Sequence, residues 1–154
     1  MKLASPAFND GERIPEHCTC TGDDVNPALD IEDIPEGTQS LVLTVIDPTS
    51  TYGTWTHWLV YDIPLTNHIA EDSVPGKEGT NSFKKLEYGG PCPAAGTHTY
   101  VFTLYALDSV LNLPAGVRLD ELQFAMDGHI IEKAELKGVY AKPPVPSRYR
   151  EIHI

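Results

Sequence analysis

The chain has 154 residues, 41% of them apolar, and a formal net charge of −11 at pH 7. That length suits one domain with its own hydrophobic core, and the negative charge opposes general attraction to nucleic acid or to anionic membrane surfaces. No run approaches the roughly 20 apolar residues of a membrane-spanning helix. The N-terminus lacks the long apolar region of a secretory signal, so we expect a cytoplasmic protein.

Short apolar runs separated by glycine and proline predict a chain built mainly of β-strands. Residues 40–47 are mostly continuous Leu, Val and Ile, which predicts a strand covered on both faces. Further strands are expected at 57–63, where Pro64 ends the run, and at 100–108. A short late strand is expected at 136–140.

The best helix candidate begins near Leu119. Leu119, Leu122, Met126 and Ile130 recur at helical spacing, and Gly128 is a candidate break within the segment.

Many short strands and few helices predict an all-β fold, an antiparallel two-sheet β-sandwich with one or two small peripheral helices. We place this single domain at 1–140 and interpret the proline-rich residues 141–154 as a C-terminal extension. Residues 66–93 form a weakly patterned stretch, and so long a loop in a compact domain is usually functional or mobile.

Three titratable side chains lie where the predicted strands begin or end. Asp47 closes the first strand before Pro48, His57 opens the second, and His98 lies just before the third. Each of them taken singly is better explained as an ordinary turn, surface or core residue. If the strands are neighbours, however, the three side chains converge at one end of the sandwich, and this conjunction favours a binding pocket.

Two stretches around these side chains carry further motif residues. In the first, Asp-Pro at 47–48 is followed by Gly-Thr-Trp-Thr-His-Trp at 53–58. In the second, Tyr-Gly-Gly-Pro-Cys-Pro at 88–93 is followed by Gly-Thr-His at 96–98 and the apolar run at 100–108. These stretches resemble the two signatures of the phosphatidylethanolamine-binding protein family, in its prokaryotic branch similar to Raf kinase inhibitor protein. The similarity covers nearly the whole chain.

The resemblance implies a β-sandwich with a small pocket for phosphate-like anions or a phosphoethanolamine head group. We expect no cofactor and no metal. A phosphorylated metabolite or a phosphoprotein is a further ligand class, and relatives are known as inhibitors of a kinase or protease. Carried over position by position, the ligand-binding residues are Asp47, Trp55, His57, Pro91, Cys92, His98 and Tyr100.

The chemistry expected of this pocket rests on donors to an anion. Both imidazoles are expected to donate, with Asp47 accepting from one of them, and backbone N–H groups along 89–96 are expected to add donors. The family usually has Asp-Ala-Pro where this chain has Thr-Ser-Thr at 49–51, and these hydroxyls become candidate phosphate donors. Trp55 and Tyr100 are expected to form apolar walls.

A phosphoester hydrolase without a metal is the main alternative, with Asp47, His57 and His98 as general acid and base. The sequence contains no Gly-x-Ser-x-Gly elbow and no Walker A loop, and no second acid stands beside Asp47 to hold a divalent ion. We therefore expect a binding protein that is not an enzyme.

A zinc site is the second alternative, because Cys18, Cys20 and Cys92 with His57 or His98 have suitable ligand chemistry. An odd number of cysteines does not indicate a disulfide framework, so we expect buried free thiols instead. The remaining histidines show no partner pattern and are interpreted as ordinary residues: His17, His68, His129 and His153.

A homodimer is a further expectation, since prokaryotic members of the resembled family often form one. Two segments are candidates for the contact, residues 66–86 and the tail 141–154. In the tail, Tyr149, Ile152 and Ile154 alternate with charges as an added edge strand would. A disordered terminus is an equally good interpretation of the tail.

Overall fold

The computed structural model describes residues 1–144, and the tail strand considered above lies outside these described residues. The strands are β1 (Lys2–Ala4), β2 (Leu29–Glu32), β3 (Ser40–Asp47), β4 (Trp55–Ile63), β5 (His68–Ile69), β6 (Lys77–Glu78), β7 (His98–Leu107) and β8 (Ile130–Tyr140). The α-helix α1 spans Leu119–Met126, and a short 3-10 helix spans Glu16–Cys18.

The strands form two sheets, one of three strands in the order β1-β2-β5 and one of five in the order β6-β4-β3-β7-β8. The paired strands within each sheet run antiparallel. Together with α1 this confirms the predicted all-β class and its small peripheral helix. No helix within residues 1–144 is long and apolar enough to cross a membrane.

Strand β3 lies at the centre of the larger sheet and is buried on both faces, as its continuous apolar run predicts. Leu41 and Leu43 belong to the main core between the sheets. Val42 points to the opposite face and belongs to a second cluster with Leu122 and Met126 of α1. Burial of each such side chain contributes about 1.5–3 kcal/mol, so the helix is held by the apolar face its spacing predicts.

The chain between α1 and β8 differs from the sequence prediction. The helix ends at Met126, and Gly128 adopts a φ of 81°, a left-handed conformation that glycine takes without steric cost. Ile130 therefore begins a strand instead of continuing the helix. Strand β8 runs for 11 residues, longer than the predicted 136–140, because its exposed face carries charged residues that hide the strand pattern.

The cysteines also differ from expectation. Cys20 and Cys92, 72 residues apart in sequence, form a disulfide, and only Cys18 is a free buried thiol among residues 1–144. The prediction of three free thiols was wrong because spacing along the chain does not show which loops meet. The zinc site built on Cys20 and Cys92 is overturned for the same reason, since their sulfurs are bonded to each other.

Candidate functional site

A cavity of about 140 Å³ opens at the end of the larger sheet, where β3 ends and β4 and β7 begin. Six of the residues expected at the ligand line it: Asp47, Trp55, His57, Cys92, His98 and Tyr100. The rest of the lining comes from Ser50, Thr51, Tyr52, Phe83, Pro93 and Ala94. Pro91 is buried beside the cavity, and its carbonyl accepts a hydrogen bond from the N–H of Cys20 at 3.1 Å.

Antiparallel pairing explains why these residues meet. β3 lies between β4 and β7, so its C-terminal end is next to the N-terminal ends of both neighbours. Asp47 pairs with Trp55 of β4, and Ile46 pairs with Val101 of β7. Three strand ends distant in sequence thus form one rim.

Asp47 is a buried carboxylate whose two oxygens are both occupied. Oδ2 lies 2.6 Å from Nδ1 of His98, and Oδ1 accepts from the Thr49 N–H at 2.7 Å and from the Thr49 hydroxyl at 2.6 Å. Burial alone would raise the pKa of Asp47, but the hydrogen bonds from Thr49 and His98 together outweigh it and lower the pKa below its usual value. Asp47 is therefore ionised at neutral pH.

His98 is oriented by this carboxylate. Because an ionised carboxylate can only accept, Nδ1 of His98 carries the proton that forms the 2.6 Å hydrogen bond to Asp47. Nε2 is then left for the cavity, and it is a donor whenever the ring is protonated. The side chain is 16% exposed, so it can reach a ligand.

The Thr49 hydroxyl does not have the role expected from the sequence. It donates to Asp47 and accepts from the N–H of Thr99 at 3.2 Å, so it holds the carboxylate instead of facing the ligand. Ser50 and Thr51 do line the cavity. The Ser50 oxygen accepts from the Tyr52 N–H at 3.2 Å, which leaves its hydroxyl proton free to donate.

His57 is a buried imidazole held by a backbone carbonyl. Its Nδ1 lies 2.6 Å from the Gly89 carbonyl oxygen, which can only accept, so Nδ1 is the protonated nitrogen. Burial lowers the pKa of His57, an effect that the hydrogen bond to Gly89 offsets only in part. The ring is therefore neutral at pH 7 and presents Nε2 as an acceptor, contrary to the expectation that both imidazoles donate.

Aromatic rings form the remaining wall. The ring centroid of His57 lies 5.1 Å from that of Tyr100 and 5.5 Å from that of Phe83, both in edge-to-face geometry. Trp55 meets Phe83 edge to face at 5.5 Å, and Tyr52, which is 84% exposed, lies 6.2 Å from Trp55 at the mouth of the cavity. The expectation of apolar walls at Trp55 and Tyr100 agrees with this arrangement.

The sequence interpretation missed Phe83, and the residue that positions it is Asn81. Asn81 is 4% exposed. Its side-chain oxygen accepts from the N–H groups of Phe83 at 2.9 Å and Lys85 at 3.0 Å, and its amide donates to the Glu87 carbonyl at 2.7 Å. The signal in the sequence was the weak apolar patterning of residues 66–93. A segment without regular strands or helices needs side-chain hydrogen bonds, such as those of buried Asn81, to satisfy its backbone groups.

The glycine loop beside the cavity supplies fewer donors than expected. The Gly89 N–H donates to the His57 carbonyl at 3.0 Å, and the Gly90 N–H donates to Asp24 Oδ1 at 2.7 Å. Neither group is free for an anion. These bonds and the Cys20–Cys92 disulfide instead anchor the loop that forms the cavity wall.

The cavity therefore combines two oriented imidazoles, of which His57 presents an acceptor, and hydroxyl groups against an aromatic wall. Its volume is close to the roughly 150 Å³ of an engineered cavity that holds benzene, and well below the roughly 300 Å³ at which drug-sized sites begin. A small polar group fits inside, and anything larger extends past the exposed ring of Tyr52.

Comparison with known proteins agrees with this architecture. A family model described as phosphatidylethanolamine-binding protein matches residues 4–141. A UPF0098 protein of Aquifex aeolicus is 42% identical over 152 residues, covering 92% of this chain and 89% of that protein. One from Chlamydia pneumoniae is 44% identical over 149 residues, covering 92% of this chain and 99% of that protein.

Two solved structures extend the comparison. A phosphatidylethanolamine-binding protein homologue from Chlamydia trachomatis superimposes with a TM-score of 0.88 at 40% identity, covering 92% of this chain and 97% of the other. YbcL of E. coli, described as a member of the mammalian family, gives a TM-score of 0.83 at 26% identity, with 92% and 98% covered. The chain belongs to the phosphatidylethanolamine-binding protein family.

Proposed function

We propose that this protein binds a phosphate group in the cavity formed by Asp47, His57 and His98. The observation that carries the proposal is the 2.6 Å hydrogen bond between Asp47 and Nδ1 of His98, which leaves the other ring nitrogen to the cavity. A protonated imidazole fixed in this way is a charge-assisted donor to an anion.

The negative charge of Asp47 does not oppose this function. Its oxygens accept three hydrogen bonds from Thr49 and His98, which spread the charge away from the cavity. His57 offers a neutral Nε2 that accepts a hydrogen bond, which suits the hydroxyl of a monoprotonated phosphate. Acceptor and donor together favour a phosphomonoester that keeps one proton.

The group attached to the phosphate can be an ethanolamine head group, a metabolite or a protein side chain. The cavity holds little beyond the phosphate itself, so the attached group meets Tyr52, Trp55 and Phe83 at the mouth. The similarity to the Chlamydia trachomatis homologue of phosphatidylethanolamine-binding proteins supports the head group. Inhibition of a kinase or protease is a further proposal, in which a phosphorylated side chain is the ligand.

Calorimetric titration with inorganic phosphate and with phosphoethanolamine tests the proposal. Removal of the donor by His98→Ala is expected to weaken binding by about ten- to a hundredfold, the equivalent of about 1.5–3 kcal/mol for a hydrogen bond to a charged group. The matched control is His129→Ala, because His129 is exposed and hydrogen bonded to Asp108 at 2.9 Å outside the cavity. Equal affinities in the wild type and both variants would contradict the proposal.

We also propose that the cavity is not a catalytic site. Asp47 has both oxygens occupied, and the protonated nitrogen of His57 is held by the Gly89 carbonyl. Nε2 of His57 can accept a proton, but the ionised Asp47 is held by Thr49 and His98 and is free neither to attack a phosphorus atom nor to protonate a leaving group, so we expect no turnover of phosphate or carboxylic esters. A reproducible hydrolysis rate that disappears in Asp47→Ala would establish the hydrolase alternative instead.

A homodimer and a cytoplasmic location remain proposals. Exposed apolar side chains at Leu65, Val74 and Leu86 lie in or beside segment 66–86 and support a contact between two copies.

The cellular location can be tested through the disulfide. A disulfide between the exposed Cys20 and Cys92 is unusual for a reducing compartment such as the cytoplasm. Rapid alkylation of thiols in intact cells, followed by mass spectrometry, shows whether Cys20 and Cys92 are reduced, as expected in the cytoplasm, or bonded, as expected in an oxidising compartment.

A further inference from the structure

A second cluster of reactive side chains lies outside the cavity. One ligand atom from each of His17, Cys18 and Glu71 lies within 4.8 Å of the other two. Nε2 of His17 is 2.6 Å from Oε1 of Glu71. This is the one such group of three among residues 1–144, and none of its members lines the phosphate cavity.

The segment that carries His17 and Cys18 is held by hydrogen bonds of its backbone. The Cys18 N–H donates to the Pro15 carbonyl at 3.0 Å, and the carbonyl of His17 accepts from the Val25 N–H at 3.3 Å. The buried hydroxyl of Tyr88 donates to the Cys18 carbonyl at 2.6 Å. The backbone positions of both residues are thus set independently of any ligand.

The turn that carries Glu71 is held just as firmly by the buried side chain and backbone of Asn26. The Asn26 amide donates to the Ala70 carbonyl at 3.0 Å, and its side-chain oxygen accepts from the Ser73 N–H at 2.9 Å. The Asn26 carbonyl accepts from the Asp72 N–H at 3.2 Å. Two separately anchored segments therefore bring an imidazole, a thiol and a carboxylate close together.

We propose that Nε2 of His17, Sγ of Cys18 and the carboxylate of Glu71 bind Zn²⁺ or a similar divalent transition-metal ion, with water as the fourth ligand. Imidazole, thiolate and carboxylate are the ligands that zinc takes in proteins, at about 2.0–2.3 Å. In a tetrahedral site two such atoms lie about 3.4 Å apart. The His17–Glu71 pair opens to that distance by small rotations, because the two side chains are 43% and 48% exposed.

Contrast with the other histidines separates this cluster from an ordinary ion pair. His68 pairs with Asp30 at 2.8 Å and His129 with Asp108 at 2.9 Å, both on the surface, where such pairs contribute little to stability. Neither of those pairs belongs to a group of three ligand types within the part of the chain that the structure describes. Of these three pairs within residues 1–144, that of His17 and Glu71 alone lies beside a buried thiol.

Binding exchanges one proton for the cation. Cys18 is a buried free thiol. On binding, the S–H bond breaks, the proton leaves to solvent and a sulfur–metal bond forms. Without the cation, Nε2 of His17 carries the proton of the hydrogen bond to Glu71. On binding, that proton passes through solvent to Nδ1 of the same ring, the Nε2 lone pair binds the metal, and Glu71 exchanges its hydrogen bond for the metal.

Cobalt titration of the full chain, with the Cys20–Cys92 disulfide intact and no reductant present, tests the proposal. We expect one Co²⁺ per chain, with visible bands of a tetrahedral ion and a near-ultraviolet thiolate-to-cobalt charge-transfer band that excess Zn²⁺ removes. Glu71→Gln and His17→Ala are expected to weaken cobalt binding at least about tenfold, the lower end of what loss of an outer partner costs.

Cys18→Ser removes the charge-transfer band, and near-ultraviolet circular dichroism verifies that the variant folds. His68→Ala is the matched control for His17→Ala, because it removes another exposed histidine paired with a carboxylate. The proposal is overturned if the wild type shows no charge-transfer band. It is equally overturned if Glu71→Gln binds cobalt as the wild type does, or if His68→Ala weakens binding as much as His17→Ala.

Discussion

Replacing His57 with asparagine tests whether the cavity is built over a neutral, buried imidazole. His57 is 3% exposed, and its protonated Nδ1 donates to the Gly89 carbonyl at 2.6 Å. The asparagine amide nitrogen occupies about the position of Nδ1, so His57→Asn retains the hydrogen bond to Gly89. The variant removes the titration of this ring together with its contacts to Tyr100 and Phe83, and those contacts contribute equally at every pH.

The expected effect is a change in how stability depends on pH. Burial lowers the pKa of His57 in the folded chain below its usual 6.5. As pH falls below that value, the unfolded chain takes up a proton at this residue and the folded chain does not, so the free energy of unfolding decreases. The slope approaches about 1.4 kcal/mol per pH unit and ends when pH reaches the folded pKa.

Urea unfolding of the wild type and His57→Asn at about pH 7.5, 6.5 and 5.5 measures this effect. Other titrating groups, including Asp47, contribute to both proteins and cancel in the difference between their unfolding free energies. The unfolding free energy of the wild type minus that of His57→Asn is expected to fall by up to about 1 kcal/mol as pH decreases from 6.5 to 5.5. His68→Asn, which removes an exposed histidine, is the control.

A neutral buried His57 would be refuted if the difference in unfolding free energy between the wild type and His57→Asn stays constant with pH or rises as pH falls. It would also remove the argument that Nε2 of this ring accepts a hydrogen bond from a protonated phosphate.

Three further predictions concern the wall of the cavity, the disulfide and the oligomer. In Gly89→Ala the new Cβ would lie 2.6 Å from ring carbons of Phe83. The ring must turn away, so calorimetry should show weaker phosphate binding at a stability cost of about 1 kcal/mol. Removing the disulfide with Cys20→Ala and Cys92→Ala together is expected to lower the free energy of unfolding by up to about 4 kcal/mol, because it opens a loop closed across 72 residues; chemical denaturation measures the loss. Light scattering is expected to show a dimer of the full chain, and truncation after Tyr140 decides whether the tail contributes; a full chain that is monomeric at high concentration would contradict the dimer.

Local features of the fold could be predicted from the sequence because they depend on periodicity. The continuous apolar run at 40–47 coincides with β3, and the helix begins at Leu119 as its spacing predicts. The pattern failed at β8, whose outer face is charged and whose strand character comes from pairing along β7. A strand with one solvated face and many charges has no apolar signal strong enough to mark its start.

The sequence also indicated which titratable residues meet, and the reason is topological. Asp47, His57 and His98 lie at strand ends, and antiparallel neighbours bring such ends to one rim. Their individual roles depended on contacts that the sequence does not encode locally. The carbonyl of Gly89 determines which nitrogen of His57 is protonated, and Asp47 does the same for His98.

Residues brought together across long stretches of chain were decided by the tertiary structure alone. Cys20 meets Cys92 across 72 residues, and His17 meets Glu71 across 54. Phe83 reaches the cavity only because buried Asn81 shapes its loop. Periodicity and turn residues determine the path of the backbone over a few residues, but which loops touch depends on how two sheets pack, and that follows from burial summed over the whole core.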